Sequence, residues 1–314
     1  MAAIGATCGG LSASITRALS DDGVDATRVN QFRFIGAFLV LALALRIAAP
    51  ALMRIPRVAW RPLLAAGLLG SFGTGLAYIV SLTLLPIATA QALIYTSPII
   101  LLGLSSVLAR RWPTPVALVT VVVAVGGCWL VVNAGASGSI DPLGVAAALI
   151  AACSFAGYVT IIGRLPVALP ALTIVIAMFG VATVTLAIVP DPVWTFPFAE
   201  TTGEQWLGLL GVMVLATLVP YLLFAGATLR LPGPVVGVLA TIEPVVAVIT
   251  AWITLGQSLG AMQIVGVVVV LTAATAAQLP GFAGPPAPVR RDGVTATTGE
   301  FAVATPTSND RIGG

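Results

Sequence analysis

The chain has 314 residues, 59% hydrophobic and 8% charged, with a mean hydropathy of +1.09. A soluble domain has about a quarter of its residues charged, so this composition excludes an ordinary soluble enzyme or a nucleic-acid-binding domain. The 14 basic residues are all arginine, and there is no histidine, which removes the commonest metal ligand and the usual neutral-pH proton relay.

Apolar runs of roughly 20 residues, long enough to cross about 30 Å of hydrocarbon, recur from end to end. They are not the short alternating segments of a transmembrane barrel. Span one, 2–19, has no positive charge ahead of its apolar stretch, which argues against a signal peptide. Span two, 29–49, carries Arg33 near its outer end, where a long stem can snorkel to water. Span three, 60–82, carries Gly67, Gly70, Gly73 and Gly75, a small-residue pattern that lets helices approach closely. No Lys-Ser/Thr follows, so it is not a phosphate loop. Span four, 88–109, places Gln91, Tyr95, Thr96 and Ser97 just before Pro98.

Spans five to seven are 114–133, 142–164 with Tyr158, and 168–189. Trp194, Phe196, Phe198 and Trp206 flank the loop 190–205 and read as interfacial belt aromatics, a ligand lid being the alternative. Span eight, 206–228, contains Pro220 and Tyr221; span nine, 234–255, contains Glu243 and Pro244; span ten is 259–279. Cys8, Cys128 and Cys153 all lie in apolar runs, which argues against a disulfide framework. Residues 280–314 are rich in Pro, Gly, Thr and Ala. Such a segment buries too little surface to offset its ordering entropy, so a disordered tail is expected.

The chain is internally duplicated. Shifting it by 146 residues, without gaps, lays Pro98 on Pro244, Leu93 on Leu239, Leu85-Pro86 on Leu231-Pro232 and Tyr78 on Phe224. Five spans per copy is an odd number, so the second copy must insert upside down. The expected fold is an all-α integral membrane protein of ten transmembrane helices in two inverted five-helix repeats, 1–133 and 142–279, followed by the tail. In this register Met1 falls near Ala147, inside its counterpart span, so the first helix reads as shortened at its start.

Loop charges agree with the count. Loops after the even spans carry Arg54, Arg57, Arg61, Arg110, Arg111, Arg164 and Arg230, and no acid. Loops after the odd spans carry Asp21, Asp22, Asp25, Asp141, Asp191, Glu200 and Glu204, and only Arg28 as a base; Arg17, near the outer end of span one, is the exception. Arginine-rich loops face the cytoplasm, so both termini are expected there, in agreement with Arg290 and Arg291.

These features resemble the drug/metabolite transporter superfamily, specifically the EamA-like ten-helix permeases. The resemblance is carried by Ala6-Thr7-Cys8-Gly9-Gly10 in span one, Gln31-Phe32-Arg33-Phe34 in span two, Ser97-Pro98-Ile99-Ile100 in span four and Ile242-Glu243-Pro244-Val245 in span nine. Cys8 stands where that family commonly has tryptophan, and Arg110-Arg111 and Gly256-Gln257 stand where it usually has a Gly-Glu pair. The resemblance implies a central cavity lined by spans one, three, four, six, eight and nine, with five and ten peripheral. Known relatives move amino acids, drugs, sugar phosphates or nucleotide sugars, often outward.

Glu243 is the sharpest candidate residue. A charge near mid-membrane costs from about 2.5 to over 10 kcal/mol, so it should face a cavity or a partner. It would bind a substrate amine or a coupling cation, or take up a proton; a structural hydrogen bond to a neighbouring helix is the alternative. Pro98 and Pro244 remove a backbone N–H each and break their helices, exposing carbonyls to the cavity. Gln91, Tyr95, Thr96 and Ser97 are cavity candidates against interhelical hydrogen bonding. Arg33 is an anion anchor or gate, or else a topology residue, and the sequence leaves open whether it pairs with Glu243. Tyr158 and Tyr221 are weaker candidates. No metal cluster, nucleophile–base pair or nucleotide fingerprint is present in the sequence, so no cofactor is expected.

The function expected is secondary transport, in the exporting direction, of a small polar or amphipathic metabolite across the cytoplasmic membrane. The partners expected are an unidentified small molecule, the lipid bilayer and a coupled proton or cation, with no nucleic acid; homo-oligomerisation stays open. The alternatives are a non-transporting scaffold or sensor, or a membrane-embedded enzyme. An enzyme would need clustered catalytic groups at one depth, and only Glu243 lies deep in the core.

Overall fold

The computed structural model describes residues 1–85, 87–133, 141–166, 169–187, 201–255, 260–277, 279 and 282. The regular structure among these residues is helical, and apart from the short 3-10 helix Pro50–Met53 it falls into the ten expected spans. Span one is Ala2–Asp21 and span two Ala26–Ala48. Span three comprises Trp60–Gly67, the π-helical Leu68–Gly73 and Thr74–Leu84. Span four is Ile87–Ile94 and Ser97–Ala109, and span five Pro115–Asn133. Span six is Pro142–Ile162 and span seven Ala171–Ala187. Span eight comprises Gly203–Val212, the π-helical Met213–Leu218 and Val219–Thr228. Span nine is Gly233–Ala240 and Ile242–Leu255, and span ten Ala261–Ala276.

Local chemistry sets the ends. Asp141 caps span six by accepting from the Leu143 N–H at 2.8 Å, with Pro142 in the first turn. Span eight begins earlier than the apolar run suggests. Thr202 and Gln205 form a reciprocal capping box, with contacts of 3.3 and 3.0 Å, that starts the helix at Gly203. Span four stops at Arg110, whose φ of 52° is the left-handed conformation that usually falls to glycine. Glycine there would be less strained.

The two halves run in opposite directions. At one end of the span two–span seven pair, Gln31 Nε2 donates to the Leu186 carbonyl; at the other, Thr173 Oγ1 donates to the Leu52 carbonyl at 2.7 Å. The start of each helix therefore meets the end of the other. Spans five and ten do the same: Thr114 Oγ1 donates to the Phe282 carbonyl, and Gln263 Nε2 to the Val131 carbonyl. Helices equivalent in the repeat are thus antiparallel, as an inverted duplication requires. The other contacts follow the same two-fold relation. Span one packs on spans eight and nine, and span six on spans three and four.

Alanines crowd the helix contacts of span six, while many large apolar side chains face outward. Ala66, Ala148, Ala151, Ala152 and Ala156 are fully buried, whereas Leu43, Ile47, Val107, Leu207 and Ile253 are exposed. This distribution suits a hydrocarbon solvent, where close backbone packing rather than apolar burial holds helices together. The glycines of span three serve that packing. A Cβ on Gly67 would stand 2.7 Å from Val181, one on Gly70 2.8 Å from Met178, and one on Gly73 2.7 Å from Ser154.

Candidate functional site

Spans four and nine are each interrupted at the same repeat position. Tyr95 and Thr96 separate the two helices of span four, and Thr241 separates those of span nine. The cause is Pro98 and Pro244, which lack the N–H that would continue the helical ladder. Each break is closed by a threonine hydroxyl bonding back one turn: Thr96 Oγ1 to the Leu93 carbonyl and Thr241 Oγ1 to the Val238 carbonyl, both at 2.6 Å. The Thr241 carbonyl in turn accepts from the Cys128 thiol at 3.8 Å. The two broken helices meet, since a Cβ on Gly237 would lie 3.3 Å from Pro98 Cα.

Glu243 begins the second half of span nine, half-buried beside span one. A Cβ on Gly9 would stand 3.1 Å from its carboxyl carbon and Oε1. On Gly10 a Cβ would stand only 2.6 Å from its main-chain oxygen. The absence of side chains at Gly9 and Gly10 is therefore what lets the carboxyl sit here. None of the described residues hydrogen-bonds to it, and Arg33 forms no ion pair with it. The groups in its electrostatic reach are Arg33, Cys128, Tyr78, Tyr95, Tyr158 and Tyr221. The chain has four tyrosines, from spans three, four, six and eight, and each of them is electrostatically coupled to this one carboxyl.

The remaining candidates divide. Gln91 Nε2 donates to the Tyr78 hydroxyl at 3.1 Å, linking spans three and four at the centre. Tyr95 is half-buried at the break, whereas Ser97 and Pro98 are buried in the packing against span nine. Thr96 is committed to its own helix. Tyr158 is 8% exposed and packs edge-to-face on Phe155 at 5.1 Å. Tyr221 packs edge-to-face on Phe34 and Phe179 at 5.6 and 5.3 Å.

Arg33 corrects the expectation of a side chain snorkelling to water. Its guanidinium lies 5.0 Å over the Phe34 ring, and its buried Nε has no hydrogen-bond partner. It interacts electrostatically with Tyr221, Glu243 and Tyr78. Trp206 also differs from a belt residue: its ring packs on Phe32 at 5.6 Å in a cluster with Leu19, Val29 and Leu209. Trp194, Phe196, Phe198, Gly256, Gln257, Arg290, Arg291 and the expected disordered tail lie outside the described residues.

Two features escaped the sequence reading. Tyr78 was visible only as a repeat landmark, although it and Gln91 stand at similar distances on either side of the turn near Leu85. Pairing polar residues across a short interhelical turn would have found it. Gly9 and Gly10 were visible as the end of the Ala6–Gly10 stretch of span one, but nothing local showed that they seat Glu243.

Known proteins agree with this architecture. The EamA-like transporter family matches residues 1–133 and again 142–277. The threonine/homoserine exporter RhtA of Salmonella typhimurium (strain SL1344) is 31% identical over 265 residues, covering 79% of this chain and 84% of its own. RhtA of Escherichia coli (strain K12) is 30% identical over 215 residues, covering 66% and 68%. An uncharacterized transporter, YwfM of Bacillus subtilis (strain 168), is 25% identical over 177 residues, covering 56% and 59%. A solved structure titled only as a crystal structure of a protein superposes with a TM-score of 0.72 at 20% identity, covering 88% of this chain and 95% of its own. At that identity it shows the fold alone.

Proposed function

The chain belongs to the EamA-like transporter family, and from that premise we propose that it is a secondary transporter exporting a small polar or amphipathic metabolite by alternating access. Membrane transport is the family's activity; the substrate class, direction and mechanism are our reading. The observation that carries it is Glu243: a half-buried carboxyl without a hydrogen-bond partner among the described residues, at the break of span nine and seated against Gly9 and Gly10 of span one. Ionisable groups kept at membrane depth mark substrate or ion pathways. Broken helices in matching positions mark the binding site of inverted-repeat transporters. The sequence holds no ATP-binding motor, so the driving force is a substrate gradient or a coupled proton or cation.

Counterflow tests this in proteoliposomes loaded with unlabelled compound and supplied with labelled compound outside. Threonine and homoserine come first, because the named relatives export them, followed by a panel of other polar metabolites. Trans-accelerated uptake of at least one is expected. If reconstituted, folded protein moves nothing in the panel, the scaffold or sensor reading takes its place.

Orientation follows from the loop charges. Reporter fusions after Arg111 and Arg230 are expected to report cytoplasm, and fusions near Asp141 and Glu200 the outside. Two successive loops on one side would refute this topology in the cytoplasmic membrane.

A further inference from the structure

Hydrogen-bond donors are left unused on one wall of the bundle. Asn30 is 8% exposed, and its Nδ2 has no partner among the described residues. Arg33 Nε is buried and equally without a partner. One turn of span two separates them, so they share a helix face. Asn30 Nδ2 looks across to span three, 3.8 Å from where a Cβ on Gly75 would stand. Arg33 interacts electrostatically with Tyr78 of span three and Tyr221 of span eight. The wall is thus made by spans two, three and eight, and Glu243 approaches from span nine.

Unpaired donors are costly where no water replaces the missing acceptor, and buried donors in native proteins nearly always find one. A guanidinium and an amide both donate, so the missing partner is an acceptor, and beside a fixed positive charge it is an anion. Among the described residues, Glu243 is the carboxylate that interacts electrostatically with Arg33, yet the two form no ion pair. Coupled but unpaired, the guanidinium and the carboxylate are each left free to meet an opposite charge on a ligand.

We infer that Asn30 and Arg33 form the carboxylate subsite for a zwitterionic amino acid whose ammonium is held by Glu243. The inference rests on the transporter reading above and deepens it by naming the substrate's two poles. Guanidinium and carboxylate match geometrically as a bidentate pair, which a lone ammonium donor cannot reproduce. The Asn30 amide would supply a further donor to the same carboxylate.

The test is competition against labelled threonine in proteoliposomes, using three probes: L-threonine, L-threoninamide, which keeps the ammonium but has no carboxylate, and 3-hydroxybutyrate, which keeps the carboxylate but has no ammonium. The wild-type protein is expected to favour threonine over threoninamide by at least about tenfold, the range of a charge-assisted hydrogen-bonded pair. Arg33→Gln should collapse that ratio toward one; Arg33→Lys should restore part of it. Asn30→Asp, which places a like charge in the subsite, should lower threonine affinity while sparing threoninamide, and it serves if Arg33→Gln does not fold. These are changes in a ratio, which loss of structure alone would not produce. If wild-type protein takes up threonine and either variant keeps the wild-type ratio, the pole assignment is wrong and the transporter reading stands. If wild-type protein recognises none of the three probes but transports another class of compound, the amino-acid assignment is overturned and transport itself is not.

Discussion

Replacing Glu243 by glutamine is expected to cut the initial rate of counterflow by about tenfold or more, the scale of one lost charge-assisted interaction, with membrane insertion and thermal stability nearly unchanged. The amide keeps the shape of the carboxyl and its ability to hydrogen-bond, but loses the charge and the capacity to titrate. Nothing among the described residues uses that carboxyl structurally: it accepts no hydrogen bond and pairs with no arginine. Its seat against Gly9 is steric, and glutamine fits the same space. The control readouts are the yield of correctly inserted protein and the midpoint of thermal unfolding in detergent. Transport should also vary with pH in the wild-type protein if the carboxyl carries a proton, and residual transport by the variant should lose that dependence. Normal transport by Glu243→Gln would make Glu243 structural, and the site would then rest on Gln91 and Tyr95 of span four.

The architecture was largely legible because a bilayer imposes one-dimensional constraints. Span length follows from hydrocarbon thickness, and loop arginines alternate with loop acids because each crossing reverses sides. The gapless register between Pro98 and Pro244 marks both helix breaks in the sequence itself. What stayed hidden depends on neighbours distant in sequence. The π-helical segments at Leu68–Gly73 and Met213–Leu218 fall within one residue of equivalence in the repeat, yet each reads locally as ordinary apolar helix. A π turn is settled by what packs against it, not by propensity. The direction of Arg33 stayed open for the same reason. A long side chain near a helix end can snorkel outward or turn inward, and only Phe34 beneath it and the polar wall around it decide between the two. At the start of span eight the cause is local: the Thr202–Gln205 capping box begins the helix ahead of its apolar run.

Gly10→Val is expected to be the most disruptive substitution at the site. A Cβ there would fall 2.6 Å from the Glu243 carbonyl oxygen, 2.7 Å from Val246 Cβ and 2.9 Å from the Ala247 nitrogen. Two of these atoms are helix backbone and cannot turn aside, so spans one and nine would have to separate along the line that seats Glu243. Overpacking of this kind typically costs about 1–3 kcal/mol, and more where backbone must move. Apolar burial gives transmembrane helices little to offset it. The expected results are a marked fall in the midpoint of thermal unfolding, low yield of monodisperse protein and loss of transport. Gly126→Ala is the matched control. It lies in span five with nothing within 4 Å of the added Cβ, and alanine is intrinsically a better helix former by about 1 kcal/mol, so stability should hold or rise. If Gly10→Val unfolds at the wild-type temperature and still transports, spans one and nine are not packed as described, and the glycine seat beneath Glu243 does not exist.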